Sequence, residues 1–465
     1  MKLMARIIAL VAALIITSAV WADSAAPPTD APINMDQALE IAFKRNPDLR
    51  VATEAVNKAR GMIKESGARF NPSFTAQITH GIQGPEIILP ASELTGNMPV
   101  TMMPSKQTSK SLQMFLPLDI FHQLRYGSNI AHDQFNISYL DLLRTSQQLI
   151  SQVKKNYYEL LRAQGQRDTV QAAVDVAALR LKNTDARFNA GSVPKFDVTT
   201  AQVDLANLNQ SLIAAQSRVS IARAGLNRTL GLNADTPTQV VNEKVIVDPS
   251  SVDADEATKT ALAERPEIKM QQAGISLSKS NIQLQRTAIR PSLGISGSFN
   301  QSDAQGFSSN TNSWNATAAL NLPIWDGGVT KAKVEQAHAD LHSAEDSLEQ
   351  AQLGIKQEVV TLALVMEEAA LRTKTTAESV ALADEALRLA NVRYEAGIAV
   401  LLEVTNAESQ LTQARFNEVN ALYDYAIARA DLQRATSTQP EIEKLKLVDY
   451  KPTLDLESAQ KSEEE

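Results

Sequence analysis

The sequence predicts a mainly α-helical chain that is built from two copies of one structural unit and that contributes four strands to a transmembrane β-barrel. Three observations predict it: a long internal repeat, proline-free stretches too long for the helices of a compact globule, and four short segments in which apolar and small polar residues alternate. Together they favour one elongated, duplicated architecture over two or three independent domains.

The internal repeat is clearest in two segments that lie 206 residues apart. The stretch from Arg187 to Gly191 (Arg-Phe-Asn-Ala-Gly) returns from Arg393 to Gly397 as Arg-Tyr-Glu-Ala-Gly. Each is followed by an acidic residue and Val-Thr, beginning at Asp197 in the first copy and at Glu403 in the second. A repeat of this length predicts that one fold is built twice.

A second match lies upstream, where alanines and prolines between residues 38 and 72 return between residues 257 and 291 with an offset of 219. The larger offset places a longer insertion in the first copy, between roughly Gly81 and Phe115. The predicted divisions of the chain are a signal peptide at 1–22, a first repeat at 23–230, a linker at 231–254, a second repeat at 255–436 and a tail at 437–465.

The first residues have the pattern of a secretory signal peptide. Lys2 and Arg6 precede an apolar stretch from Ile7 to Ile16, and Val20-Trp21-Ala22 forms a small-residue cleavage site. About ten apolar residues are too few to span a bilayer as a helix. Removal of this segment changes the formal net charge from −8 to −10, which argues against nucleic acid as a partner.

Cysteine is absent from the chain. This excludes disulfides, thiol catalysis, a thiolate metal site and a lipid-modified N-terminal cysteine. The chain after the predicted cleavage site also has no apolar run of about 18 residues, so the sequence predicts no membrane-spanning helix.

Proline marks where long helices are possible. A proline inside a helix costs about 3 kcal/mol, so long stretches without proline permit long helices. A helix over 329–393 would be about 95 Å long, which favours an elongated bundle or coiled coil. Its alanine-rich seams allow close helix packing. The charged residues between the seams suit the wall of a tube that contacts water on both its inner and its outer face. The proline-free stretches are 118–193, 195–236 and 324–439.

Four segments, grouped into hairpins at about 72–117 and 291–323, have the two-residue period of β-strands. One apolar and one small polar face is typical of a transmembrane barrel strand, although each segment alone also fits a half-buried strand of a soluble sheet. Their occurrence together in a secreted chain with very long helices favours the barrel. The four segments are 72–81, 111–116, 291–300 and 313–322. The predicted lipid-facing residues are Phe74, Ile78, Leu293, Ile295, Trp314 and Leu320.

Four strands cannot close into a barrel, so the sequence also predicts an oligomer. The chain resembles the TolC-like outer-membrane efflux protein family over about residues 35–436. Three features carry the resemblance: the order of elements, the two Arg-aromatic-x-Ala-Gly turns, and the Pro-Ser pairs at 72–73 and 291–292. The resemblance implies a homotrimer with one shared twelve-stranded barrel and a helical periplasmic tunnel.

The resemblance also implies a function and partners. Members of this family are passive exit ducts in the outer membrane, without a cofactor, in tripartite efflux or type I secretion systems. A periplasmic adaptor docks at the tunnel tip, and an inner-membrane RND or ABC transporter supplies the energy. The rival hypothesis is a periplasmic coiled-coil structural or adaptor protein that does not enter a membrane.

The two duplicated turns are the candidate functional site. A glycine after a long helix is a natural C-cap, which is their structural interpretation. The resemblance implies in addition that these tips contact the adaptor and lie beside gating groups. The predicted tip residues are Ala190, Gly191, Ser192, Ala396, Gly397 and Ile398, and the predicted gating residues are Tyr394, Asp197, Glu403 and Asn406.

The chain departs from the family pattern at two of these positions. Ala399 stands where the family pattern has a tip arginine, and Asn406 stands where it has a second acid. The resemblance therefore does not support an arginine latch, and it predicts fewer charges at the constriction. The alternative is that Glu403 is an ordinary exposed helix residue.

No enzyme motif is present in the sequence. It contains no glycine-rich phosphate loop and no G-x-S-x-G turn. His338 and His342 have the spacing of zinc ligands on a helix, with Glu335 and Glu345 nearby, but Ala339 occupies the position of a zincin glutamate. A solvated helix face explains them better, so the sequence predicts no catalytic residue and no metal.

Overall fold

The computed structural model describes residues 31–91, 93, 99–103, 105–248, 252–302 and 312–442. The predicted signal peptide lies outside the described residues, as does the predicted tail beyond residue 442. One order of elements occurs twice: two short helices, a strand pair, and two long helices.

The first copy begins with two short helices and ends with two long ones. Its elements are α1 (Met35–Arg45), α2 (Pro47–Ala68), β1 (Ser73–Ile82), β2 (Ile87–Leu89), β3 (Val100–Met103), β4 (Lys106–Leu118), α3 (Gln123–Asn189) and α4 (Lys195–Leu230).

The second copy follows the same plan with a shorter strand region. Its elements are α5 (Ala254–Glu264), α6 (Pro266–Arg286), β5 (Ser292–Ser302), β6 (Asn312–Asn321), α7 (Val329–Glu395) and α8 (Leu401–Ala435). Helices α3 and α7 have 67 residues each, which corresponds to about 100 Å. The prediction of a mainly helical chain with very long helices is confirmed.

Strands β1, β4, β5 and β6 form one antiparallel sheet in that order. Directly opposed residues of antiparallel strands point to the same face, and the register pairs Phe74 with Met114 and Leu293 with Leu320. Ile295 lies opposite both Leu116 and Ala318. The register therefore gathers all six predicted lipid-facing residues on one face of the sheet.

The other face of the sheet is lined mainly by small polar side chains. Ser296 lies opposite Thr317, and Ser298 lies opposite Asn315, with which its hydroxyl is hydrogen bonded at 3.0 Å. The structure differs from the sequence prediction in the first hairpin, where β4 begins at Lys106 and a small second sheet, β2 with β3, lies in the predicted loop. Those residues lack clear two-residue alternation, because polar side chains occur on both faces.

The chain forms a strip with two open edges. Next to the sheet, α2 packs on α3, α3 on α6 and α6 on α7; further along the long helices, α4 packs on α3, α3 on α8 and α8 on α7. One edge therefore consists of β1, α2 and α4, and the other of β6 and α7. Exposed apolar residues on α4 include Val203, Ile213 and Ile221, and those on α7 include Leu353, Leu364 and Leu371.

The hydrophobic core lies where the short helices and the linker wrap the middle of the long helices. Tyr157 of α3 is fully buried, and its hydroxyl donates to the carbonyl oxygen of Val241 at 2.7 Å. Burial raises the pKa of Tyr157, so the phenol is neutral. Ile33, at the beginning of the described chain, pairs with Val240 of the linker. These contacts fasten both chain segments to α3.

The residue that precedes the second short helix differs between the two copies. Asn46 caps α2, with its side chain accepting from the backbone N–H of Asp48 at 2.8 Å. The residue at the same position of the second copy is Arg265, which is almost completely buried and pairs with Glu267 and Glu358. Burial alone would raise the pKa of Glu358, but Arg265 and Arg434 outweigh it and the pKa is lowered.

We expect Arg265→Met to destabilise the protein by about 3 kcal/mol at neutral pH, because it leaves two partly buried carboxylates without their main partner. Carboxylates with lowered pKa values stabilise the fold above their unfolded pKa near 4.5 and lose that contribution as the pH falls through the folded value. Melting curves from pH 7 to pH 3 should therefore converge for the variant and the wild type. Arg388→Met, which removes an exposed ion pair with Glu385, is the matched control and should change little at any pH.

Candidate functional site

Both duplicated turns end their long helices with the same backbone hydrogen bonds. The N–H of Ser192 donates to the carbonyl of Arg187 at 2.8 Å, and that of Ile398 donates to the carbonyl of Arg393 at 2.9 Å. The intervening glycines have φ values of +74° and +72°, which an L-residue adopts only with strain. This is the Schellman arrangement at a helix C-terminus. The predicted tip residues Ala190, Gly191, Ser192, Ala396, Gly397 and Ile398 are all exposed.

Large apolar side chains lie beside both tips and are mostly exposed to solvent. Phe196, in the first turn of α4, is 75% exposed. Ile398 is 73% exposed, and Val400 and Leu402 beside it are exposed as well. Apolar groups on a rigid turn are suited to contact with another protein.

Tyr394 joins the ends of the two long hairpins, α3–α4 and α7–α8. The guanidinium of Arg187, at the end of α3, lies over its ring at 5.3 Å from the centroid. This distance is within the range of a cation–π contact. The Tyr394 hydroxyl is buried and has no hydrogen-bond partner among the described residues.

The other predicted gating residues are not gathered around Tyr394 by direct contacts. Glu403 pairs with Arg393 at 3.1 Å across its own hairpin, and both side chains are largely accessible. Asp197 is half-exposed in the first turn of α4, where the helix dipole favours an acid. Within residues 105–248 and 312–442, no hydrogen bond or ion pair joins Asp197 to Tyr394 or Glu403. Asn406 is exposed.

A buried polar link between the hairpins, not predicted from the sequence, lies near the tips. Arg180 of α3 pairs with Glu408 of α8 and, at 3.3 Å, with Asp204 of α4. It lies about 10 Å along α3 from Arg187. Its side chain is only 9% exposed. We call these three residues the arginine cluster.

The arginine cluster contains two carboxylates and one guanidinium, so its charges do not balance. Burial raises the pKa of Glu408, Arg180 lowers it and the charge of Asp204 raises it, so the net direction is upward. One departure from the repeat could have signalled this cluster: the counterparts of Arg180 and Asp204 in the second copy are Ala386 and Gln410. Because the second copy folds without this charge pair, the repeated fold does not require it, and a separate role for the pair is expected.

The histidines singled out by their spacing have ordinary neighbours. His338 lies 3.4 Å from Arg286, and His342 lies 3.3 Å from Glu345. Among the described residues, no group of three or more histidine, cysteine, aspartate or glutamate side chains could hold a metal ion. The described helices also include none with the length and apolar character needed to cross a membrane.

Comparison with known proteins identifies similar chains. A family model described as outer membrane efflux protein matches residues 38–232 and 257–438. Outer membrane protein TolC of Vibrio cholerae is 26% identical over 318 residues, which cover 64% of this chain and 69% of that protein. Nodulation protein T of Rhizobium leguminosarum is 22% identical over 399 residues, which cover 83% of this chain and 82% of that protein.

Solved structures share the fold at low sequence identity. The CmeC outer membrane channel of Campylobacter jejuni superposes with a TM-score of 0.75 at 18% identity, covering 92% of this chain and 89% of that chain. The open state of the MtrE outer membrane channel of Neisseria gonorrhoeae has a TM-score of 0.70 at 20% identity, covering 86% and 88%.

Proposed function

Because the chain belongs to the outer membrane efflux protein family, we propose that it is the channel subunit of a tripartite efflux or type I secretion system. The family match confirms the resemblance found in the sequence and the outer-membrane location. The family is one of channels rather than enzymes. In the proposed assembly, three copies form a passive exit duct with a twelve-stranded barrel and a helical tunnel that extends into the periplasm.

The observation that carries this proposal is the four-stranded sheet with an apolar face and two open edges. An apolar face that is exposed to water is unfavourable, and unpaired strand edges cannot lie in lipid. Pairing β6 of one copy with β1 of the next satisfies both edges. The same step brings α7 of one copy against α2 and α4 of the next, where the exposed apolar residues lie.

This contact is heterologous, so repeating it closes a ring when the rotation from one copy to the next adds up to a full turn. The number three comes from the resemblance. The sheet and the helices contribute to the same ring because their outer elements lie on the same two edges of the strip.

We expect Ile295→Arg to destabilise the assembled barrel by about 2–4 kcal/mol, because it places a charge on the lipid face. The matched variant is Ser296→Arg, one residue away on the polar face, which should be tolerated. Outer-membrane fractionation and heat-modifiable mobility on gels measure how much trimer is present. Equal yields from both variants would reject the proposed faces, and wild-type protein found only in the soluble periplasm would favour the rival coiled-coil hypothesis.

We propose that the hairpin tips dock a periplasmic adaptor, which links the duct to an inner-membrane RND or ABC transporter. Support comes from the duplicated, rigid and exposed turns with apolar neighbours, which would give six similar docking points in a trimer. Site-specific cross-linking from Ser192 and Ile398 in living cells would capture the adaptor.

We also propose that Tyr394, Asp197, Glu403 and Asn406 lie at the periplasmic constriction. In a ring of three copies, Glu403 would favour cations at the entrance. Its pairing with Arg393 reduces that charge, as does Asn406 in place of a second acid. Two contacts would hold the hairpins together when the constriction is closed. They are the cation–π contact of Arg187 with Tyr394 and the ion pairs of the arginine cluster.

A further inference from the structure

The charged residues of the four-stranded sheet all lie at one end and on one face. Within the described bounds of β1, β4, β5 and β6 there is no aspartate or glutamate, and the only residues that can carry a charge are His80, Lys106 and Lys110. The register pairs Lys110 with Ile78 of the apolar face. Lys106 lies four residues from Lys110 along β4, and His80 lies two residues beyond Ile78, so alternation places both on that face. We call His80, Lys106 and Lys110 the basic triad.

The apolar face ends at the row of the sheet that contains Lys110. Phe299 and Trp314 lie opposite each other in the preceding row, and both are exposed. In the next row of the same face, Lys110 lies opposite Gln301, and Gln301 lies opposite Asn312. Aromatic residues that border an apolar band are typical of the level where a barrel leaves the lipid hydrocarbon. The change from apolar to polar residues on β4, β5 and β6 therefore marks an edge of the predicted lipid-facing band.

Distances along β4 place the basic triad at the outer edge of such a band. Leu118 is the last residue of β4 before the helices begin, and Lys110 is eight residues away. That separation is about 27 Å along the strand and about 20 Å along the membrane normal at a tilt of about 40°. Lys106 is four residues further, at about 31 Å by the same measure. The apolar band of an outer-membrane barrel is about 25 Å tall, so the two lysines lie on either side of its outer limit.

The two lysines have free charges at this level. Both are exposed, and neither side chain has an ion-pair or hydrogen-bond partner among the described residues. Glu86 and Glu93 belong to the same hairpin but lie beyond the end of β1. Unpaired cations that lie at the depth of lipid headgroups attract the anionic groups of those lipids.

The third member of the basic triad lies between the two lysines. His80 is directly opposite Thr108, and its Nδ1 lies 3.0 Å from the Thr108 hydroxyl oxygen. When that hydroxyl donates to Nδ1, the hydrogen is on Nε2, which can then donate to a phosphate oxygen. His80 is a diagonal neighbour of both lysines, at about 7–8 Å, and the lysines are about 13 Å apart along β4. This spacing suits two phosphate groups that are separated by a sugar headgroup.

We propose that the basic triad binds a glycolipid of the outer leaflet that carries a phosphate at each end of its sugar headgroup. Lys106 would contact one phosphate and Lys110 the other, with His80 donating between them. The amide of Gln301 would bond sugar hydroxyls, and the acyl chains would lie along the apolar face. The inference rests on the proposed function, because it requires this face of the sheet to lie in the outer membrane. A trimer would have three such sites.

The test counts lipids bound to purified trimers by native mass spectrometry. Diphosphoryl lipid A, which has a phosphate at both ends of a disaccharide, is the probe. Monophosphoryl lipid A, which lacks one phosphate, and zwitterionic phosphatidylethanolamine are the control lipids. We expect saturation at three molecules of the probe per trimer. Monophosphoryl lipid A should bind about tenfold more weakly because one charge-assisted contact is lost, and phosphatidylethanolamine should not be retained at the same concentration.

Three double variants locate the site. Lys106→Gln with Lys110→Gln removes both charges and should weaken binding of the probe at least about tenfold. Lys106→Arg with Lys110→Arg should bind like the wild type, because a guanidinium also contacts phosphate. Lys331→Gln with Lys333→Gln is the matched control. It removes two exposed lysines at the start of α7, at the opposite end of the sheet, and should bind normally.

Equal binding of the two forms of lipid A, or unchanged binding in the Lys106→Gln, Lys110→Gln variant, would overturn the inference, since the lipid would then cover the barrel without recognition of its phosphates. An equal loss in the Lys331→Gln, Lys333→Gln control would overturn it as well, because net charge alone would explain the binding. With trimers present in the outer membrane, these results leave the proposed channel intact. If no outer-membrane trimer forms, the channel proposal and this inference fail together.

Discussion

Replacing Gly231 by alanine is expected to abolish assembly of the protein. Gly231 ends α4 with a φ of +71°, and a Cβ added there would lie 2.5 Å from the carbonyl oxygen of Arg45 at the end of α1. The left-handed conformation alone costs a non-glycine residue about 1–2 kcal/mol. The overlap cannot be relieved by a side-chain movement because the neighbour is backbone, so α1 and α4 must move apart.

The tip glycines provide the matched control for this variant. Gly191 and Gly397 have similar positive φ values, but a Cβ on either would meet nothing within 4 Å. Gly191→Ala and Gly397→Ala should therefore cost only the conformational strain and should still assemble. The yield of heat-modifiable trimer in outer-membrane fractions measures all three variants, and normal assembly of Gly231→Ala would contradict the packing argument.

The same comparison separates fold from function at the tips. Since the tip glycines have open space, loss of export in a Gly191→Ala, Gly397→Ala double variant with normal trimer yield would support adaptor docking. Normal export from such a variant would show that alanine is tolerated at the docking contact, and bulkier residues would then be required to test it.

Much of the fold could be predicted because the sequence patterns that indicate its helices and strands extend over many residues. The proline-free run from 324 to 439 covers α7, whose observed start at Val329 and end at Glu395 differ little from the predicted 329–393. The strands were found by alternation, and their register agrees with the predicted apolar face. The residues from Ile87 to Leu89 were predicted as loop, because three residues are too few to show a period.

The candidate site was harder to predict, because contacts between hairpins have no local pattern. The tip turns carry a duplicated motif, and their glycines required positive φ, so they were visible in the sequence. Arg180 and Glu408 lie 228 residues apart, and only the fold shows that they meet. Likewise, Ala399 suggested that no arginine links the hairpins, yet Arg187 and Arg180 supply such contacts from other positions.

Arg180→Gln is expected to increase the resting conductance of the proposed channel strongly. The substitution leaves Glu408 and Asp204 near each other without a cation, and breaking a buried ion pair in this way costs about 3–5 kcal/mol. Separation of the hairpins relieves that cost by exposing the acids to water. A bias of this size changes the population of a separated state by about a hundredfold or more, and planar-bilayer recordings of purified trimers would detect it.

Two further variants make the test specific. Arg393→Gln breaks the pair with Glu403, which is exposed and therefore worth about 0–1 kcal/mol; it should alter cation selectivity at the entrance but leave the resting conductance nearly unchanged. Adding Glu408→Gln to Arg180→Gln removes one unpaired acid and should bring the conductance back toward the wild-type value. If all three variants conduct like the wild type, the arginine cluster is a packing contact that does not hold the hairpins closed.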